Sequence, residues 1–161
     1  HYGEHKGIPI ALEALELVRQ QYPDIHVTMF GACEKREEID KDWISYYQNQ
    51  TAPQLRNLYN NTAIFVCASI NEGFGLTGAE SMACGCALVS TTYKGVFEYA
   101  SNENAMLSPV NDSYALAENI IRLIENKELR FKLAYKGSED LKAFSLNLAV
   151  DKFEEIIGSS K

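Results

Sequence analysis

The sequence predicts an α/β domain built on a doubly wound parallel sheet. Three observations carry that expectation. Short β-rich runs alternate with helical patterns along the chain, as they do where strands are joined by crossover helices. Ala63 to Ala68 is a continuous apolar run, expected of a parallel strand buried on both faces. A glycine-bearing stretch follows it and leads into a helical pattern, and such sheets bind ligands at the carboxyl ends of their strands. The 161 residues, 46% hydrophobic and 23% charged, fit one domain with enough apolar material for a core.

Each element has its own signal. Ile8, Ala11, Leu12, Leu15 and Val18 recur at helical spacing, so 8–21 reads as an amphipathic helix stopped by Pro23. Ile25 to Phe30 is β-rich and ends at Gly31. Glu34 to Asp42 reads as a charged loop or short helix, and Trp43 to Tyr47 as a second strand. Thr51 or Ala52 starts a helix with Pro53 in its first turn and Leu55, Leu58 and Tyr59 turned inward. Beyond the Ala63–Ala68 strand, the loop Asn71–Gly75 opens a small-residue helix over Leu76–Ala83, ended by Gly85. Ala87–Ser90 is another strand, Val96–Ala100 a short helix and Ala105–Leu107 a strand. Three helical stripes follow: Leu116, Ile120, Leu123 and Ile124; then Leu129, Leu133 and Leu141, interrupted near Gly137; then Leu146, Val150, Phe153 and Ile157. A doubly wound domain opens with a strand, whereas the first element here is a helix. The expectation is that 1–161 is one domain, with its first strand and a further domain upstream of His1.

Charge narrows the function. A formal net charge of −7 argues against non-specific nucleic-acid binding, which needs a basic surface. No apolar run approaches the ~18 residues of a membrane span. Cys84-Gly85-Cys86 has no second pair at metal spacing, so no metal site is expected. Cys33, Cys67, Cys84 and Cys86 read as small buried hydrophobes in a reducing compartment.

The chemistry concentrates in Glu72-Gly73-Phe74-Gly75-Leu76-Thr77-Gly78-Ala79-Glu80. A strand ends, glycines free the backbone, and a helix begins. The unpaired N–H groups of a helix start, at the positive end of its dipole, bind phosphate without a cationic side chain. Gly73 and Gly75 would let the backbone approach the anion closely. Glu72 and Glu80 would repel phosphate, but carboxylates accept hydrogen bonds well from vicinal hydroxyls. The spacing is neither a dinucleotide fingerprint nor a Walker loop. On these residues alone, a tight turn flanked by two solvated glutamates stays open beside the phosphate-binding reading.

The same residues resemble a known family. Glu72 and Glu80 form a Glu-x7-Glu pair, and Glu72-Gly-Phe-Gly-Leu76 with Glu80-Ser-Met-Ala-Cys-Gly-Cys-Ala-Leu-Val89 is similar to the C-terminal domain of retaining GT4 glycosyltransferases. His5-Lys6-Gly7, Leu55-x-x-Leu-Tyr59, Ala63–Ser69 and Gly95-Val-Phe-Glu98 extend the resemblance over nearly the whole chain. It implies a Rossmann-like C-terminal half of a GT-B fold that binds a UDP-, GDP- or similar nucleotide sugar. In that reading the backbone of Gly73, Phe74, Gly75, Leu76 and Thr77, together with Lys6, holds the donor diphosphate. Glu80 holds the ribose, and Glu72 contacts the transferred sugar as the catalytic carboxylate. The segment Tyr47–Gln50, with Gln48 and Asn49, lies against the base. Two departures are visible. The family's arginine a few residues before the lysine is absent, either falling upstream of His1 or lacking in this member, and many relatives carry glycine about where Gln48 stands.

The resemblance further implies no cofactor and no metal. The acceptor glycan or lipid would be bound mainly by an N-terminal domain, in cell-surface polysaccharide or glycoconjugate synthesis. Location would be cytoplasmic or peripheral at the inner membrane face, because nucleotide sugars are cytosolic. Two other readings compete: a related sugar-phosphate or storage-glucan synthase, and a non-catalytic nucleotide-sugar-binding module. Glu72 weighs against the last, because a pure nucleotide binder needs no carboxylate at the sugar.

Overall fold

A computed structural model describes residues 3–144, and the helical stripe expected at Leu146–Ile157 lies outside them. A 3-10 turn at Glu4–Lys6 leads into α1 (Ile8–Gln21), followed by β1 (Val27–Gly31), β2 (Ile44–Gln48) and α2 (Ala52–Asn60). Then come β3 (Ile64–Cys67), α3 (Leu76–Ala83), β4 (Ala87–Thr91), a 3-10 turn at Lys94–Glu98, β5 (Ala105–Ser108), α4 (Ser113–Glu125) and α5 (Lys127–Leu141). The strand–helix alternation read from the sequence is present, with ends shifted by a residue or two. Ile25 falls outside β1 because its N–H closes a turn onto the Tyr22 carbonyl.

Among the described residues every strand pairing is parallel. β1 pairs β2 from Val27–Ile44 to Gly31–Gln48, while β4 lies between β3 and β5 with Val89 opposite Val66 and Met106. Within each piece the carboxyl ends are thereby gathered on one edge. Side-chain alternation then divides the core. Val89 packs with Leu12 and Val18 of α1 and Leu116 and Leu123 of α4. Its neighbour Leu88 points the other way, to Met82 of α3, Val96 and Leu141 of α5. This is the doubly wound arrangement, and each fully buried Leu or Val contributes about 1.5–3 kcal/mol.

Caps fix the helix starts. Gly7, at φ +62°, is the N-cap of α1. A Cβ there would lie 1.9 Å from the Ala68 carbonyl oxygen, so the glycine lets the chain start press against the end of β3. Thr51 and Gln54 form a capping box on α2. Asp112 caps α4 by accepting from the Ala115 N–H at 2.9 Å.

Two expectations need correction. α5 runs unbroken through Gly137, whose missing side chain makes room for Met82: a Cβ there would sit 2.7 Å from the methionine Cε. The glycine serves packing between helices rather than a helix end. The helix expected at Val96–Ala100 is a 3-10 turn that starts and ends two residues earlier. A third difference concerns burial. All five residues of β4 are buried, whereas Ile64, Phe65 and Val66 of β3 are only half-buried.

The cause is a split in the sheet. β1–β2 and β3–β4–β5 are separate hydrogen-bonded pieces. A cleft of about 700 Å³ is lined by residues along both β1 and β3, with Ile8, Ala11, Leu15, Ile120 and Ile124 as its apolar floor. The apolar run of β3 borders this gap, which is why it is less covered than β4.

Candidate functional site

The site begins where β3 ends. The His5 carbonyl accepts the Ile70 N–H at 2.7 Å, which ties the chain start to the loop after β3. Buried Thr91, at the end of β4, donates its hydroxyl to the Ser69 carbonyl. Between these anchors the Lys6 ammonium donates to Glu72 Oε1, and the Ser69 hydroxyl donates to the same oxygen at 3.1 Å. The Lys6 and Glu72 side chains keep 31% and 19% exposure, so the pair is sheltered yet open to a ligand. Lys6, Ser69, Glu72 and Thr77 all line the cleft.

The loop then turns into α3 through Gly75, at φ +82°, the N-cap of that helix. A Cβ at Gly75 would lie 2.0 Å from the Tyr93 hydroxyl, and one at Gly78 would lie 2.4 Å from the Tyr99 hydroxyl. Both are glycine because buried tyrosine hydroxyls occupy the space. The expectation for Gly73 is different in detail. Its φ is not left-handed and its Cβ position is open. It is Gly95 that must be small, since a Cβ there would lie 2.0 Å from the Gly73 carbonyl oxygen. The turn at Lys94–Glu98 therefore seats the glycine loop.

Phe74 points into packing: its ring lies 5.1 Å from that of Tyr99 and 5.8 Å from that of Phe144. Leu76, at the first helical position, is exposed, and Thr77 beside it is half-buried.

Glu80 sits one turn into α3 and is exposed. The hydroxyl of Tyr59, on α2, donates to its Oε2 at 3.1 Å. Burial, and then the nearby Glu80 charge, push the Tyr59 hydroxyl far above its usual range, so it stays a donor. Tyr59 also meets Phe30 and Phe65 edge-on, which holds its ring in place. Gln48 and Asn49 lie at the carboxyl end of β2, in the other piece of the sheet. Gln48 Nε2 donates to the Ala32 carbonyl at 3.3 Å and Asn49 turns the chain at φ +50°. Neither joins the Lys6–Glu72 cluster.

Sequence reasoning overlooked four side chains as site members: Ser69, Tyr59, Tyr93 and Tyr99. The available signal was polarity in the wrong place, a serine at the end of an apolar strand and tyrosines beside small-residue segments. Cys67 and Cys86 are buried as expected, whereas Cys33 and Cys84 are only half-buried, and burial pushes the Cys86 thiol up to about 12.

Chemically, the arrangement offers amide donors at a helix start, an ammonium, and two carboxylates held by separate hydroxyl donors. Such a set can take an anion flanked by two polyhydroxylated groups. Among the described residues, no helix is long and apolar enough to cross a membrane.

Comparison with known proteins adds sequence relatives to this geometry. Residues 1–140 match the family described as Glycosyl transferases group 1. The N,N'-diacetylbacillosaminyl-diphospho-undecaprenol alpha-1,3-N-acetylgalactosaminyltransferase of Campylobacter jejuni is 31% identical over 156 residues, 92% of this chain and 40% of that protein. The C-terminal domain of a glycosyl transferase group 1 family protein (LpcC) from Francisella tularensis is similar in structure, with a TM-score of 0.77 and 26% identity, covering 88% of this chain and 80% of that one. HepE from Anabaena, solved in complex with UDP-glucose, gives a TM-score of 0.84 at 19% identity, covering 99% of this chain and 47% of that one, a likeness of fold. The chain spans about two fifths of the length of the first curated relatives it matches.

Proposed function

The chain belongs to the group 1 glycosyltransferases, and from that premise we propose that it is the donor-binding domain of a retaining enzyme. The reaction moves a sugar from a nucleoside-diphosphate sugar to a glycan, lipid or other acceptor. The observation that carries this reading is the meeting of Lys6 and Glu72 at the head of the glycine loop. An ammonium has three donors, so one can hold Glu72 while others reach phosphate oxygens. The leaving diphosphate is stabilised by Lys6 and the α3 N-terminus. Glu72 then faces the transferred sugar, where positive charge develops as the glycosidic bond breaks. Glu80, oriented by Tyr59, accepts from the ribose diol. Gln48 and Asn49 supply the edge against the base.

The relatives support the class of substrates. HepE was solved with UDP-glucose, and the Campylobacter relative is named for a diphospho-undecaprenol acceptor. A cytoplasmic enzyme working at the inner membrane face fits both. Among the described residues, the cleft lies between two strands without a shared partner and has an apolar floor. We infer that polypeptide upstream of His1 fills it and carries an acceptor-binding domain. The deciding experiment incubates the full-length protein with UDP- and GDP-hexoses and an undecaprenyl-diphosphate sugar. Release of UDP or GDP with a new α-linkage supports the reading, and failure to turn over any donor refutes it.

A further inference from the structure

Behind the glycine loop lies a pair of tyrosines that the reaction scheme does not use. Tyr93 and Tyr99 are 1% and 4% exposed, and their hydroxyls are 2.6 Å apart. The Tyr99 hydroxyl donates to the Gly75 carbonyl at 3.1 Å. A phenol has a single proton. Since that of Tyr99 is spent on Gly75, the bond between the hydroxyls must be donated by Tyr93. The direction of the chain is thus fixed: Tyr93 to Tyr99 to the Gly75 carbonyl.

That carbonyl is crowded. It also accepts the N–H groups of Gly78 at 3.0 Å and Ala79 at 3.4 Å, the first turn of α3. Its peptide unit ends in the N–H of Leu76, which, with that of Thr77, precedes the first intrahelical bond. Donation to a peptide carbonyl polarises the N–H of the same unit and strengthens what it donates. Burial pushes the Tyr99 hydroxyl up to about 12 and that of Tyr93 higher still, so both stay protonated across the working range.

We propose that Tyr93 and Tyr99 form a buried hydroxyl relay that positions and polarises the Gly75–Leu76 peptide for the donor diphosphate. They are positioning residues, acting through the backbone rather than touching substrate. The inference rests on the nucleotide-sugar reading of the loop. It differs from plain packing in one respect: rings fill space, whereas the relay acts on phosphate alone.

The test uses the full-length enzyme carrying Tyr99→Phe, Tyr93→Phe or both, titrated with UDP, uridine, GDP and guanosine. Phenylalanine keeps the ring and removes the hydroxyl. For the diphosphate that binds wild type, Tyr99→Phe should weaken affinity about three- to tenfold, the range of one lost neutral hydrogen bond. Affinity for the matching nucleoside should hold. Tyr93→Phe should do the same more weakly, and should add nothing in the Tyr99→Phe background, because it acts only through Tyr99. Equal losses for nucleoside and diphosphate, no loss at all, or additive effects of the two substitutions would overturn the relay while leaving the donor reading intact. If wild type binds neither diphosphate, the donor reading fails and the relay with it. Should Tyr99→Phe fail to fold, the diphosphate-selective loss in Tyr93→Phe decides alone.

Discussion

Lys6 donates to Glu72 across a sequence separation of 66 residues, and the two side chains meet at the carboxyl end of β3. The lysine thus holds the carboxylate that would face the sugar while standing beside the loop that would hold phosphate. Ser69 donates to the same carboxylate oxygen. One ammonium would therefore couple two parts of the proposed donor site.

Lys6→Ala should weaken nucleoside-diphosphate binding by about 1.5–3 kcal/mol, roughly ten- to hundredfold, as expected for a charge-assisted hydrogen bond. Nucleoside binding should change little. Calorimetric titration with UDP, GDP and their nucleosides checks this. Equal loss for both ligand types would make the lysine a structural residue.

The two glutamates should separate in kinetics. Glu80→Gln removes an acceptor that the proposed donor site would use in ground and transition states alike, so it should mainly raise the donor KM. Tyr59→Phe should do the same in smaller measure, by freeing the carboxylate it orients. Glu72→Gln should mainly lower kcat, by about 10²-fold or more if it acts as other preorganised electrostatic groups do. Steady-state kinetics on the full-length enzyme with a hexose donor test the division. Identical behaviour of the two glutamine variants would defeat it.

Gly75→Ala should damage both fold and site. A side chain at φ +82° is strained, and its Cβ would meet the Tyr93 hydroxyl at 2.0 Å. The expected cost is about 2 kcal/mol or more, several degrees in Tm. Gly73→Ala meets open space and ordinary backbone, so its Tm should stay near wild type. Thermal melts of the two variants side by side give the answer.

The 161-residue domain by itself should bind UDP or GDP weakly and transfer no sugar, since transfer needs both substrates held in register. Robust transfer from this domain would contradict the assignment of the acceptor site to another one. Adding the upstream segment proposed to fill the cleft should slow amide exchange along β1 and β3, whose edges on the cleft have no strand partner among the described residues. Unchanged exchange at 27–31 and 64–67 would mean the cleft takes no strand.

Local chemistry made the loop legible. Glu72 to Glu80 carries its glycines, helix start and carboxylates within one short stretch, and the strand–helix alternation around it follows from hydrophobic pattern. What escaped was set by contacts across the chain. Gly137 reads as a helix breaker until Met82 is seen to need its space. Tyr93 and Tyr99 belong to a turn whose importance lies in what it supports, the Gly75 carbonyl. Phe74 stands inside the motif yet packs away from it, onto Tyr99 and Phe144. The half-burial of β3 depends on a gap in the sheet, which no pattern within the strand records.

The close approach of Gly7 to the Ala68 carbonyl bears on how the protein is made. Synthesis delivers Lys6 before its partners, which emerge only after β3 has been translated, and the tyrosines under the glycine loop come later still. Contacts between distant parts of a chain form slowly because loop closure precedes any reward. A nascent chain stopped before Tyr99 would carry α1, α2 and α3 and lack the relay proposed to support the donor site. Capture of nucleotide sugar at the proposed site would then report completed tertiary folding, and a cell supplying that ligand would favour the finished domain over its partly folded forms by mass action.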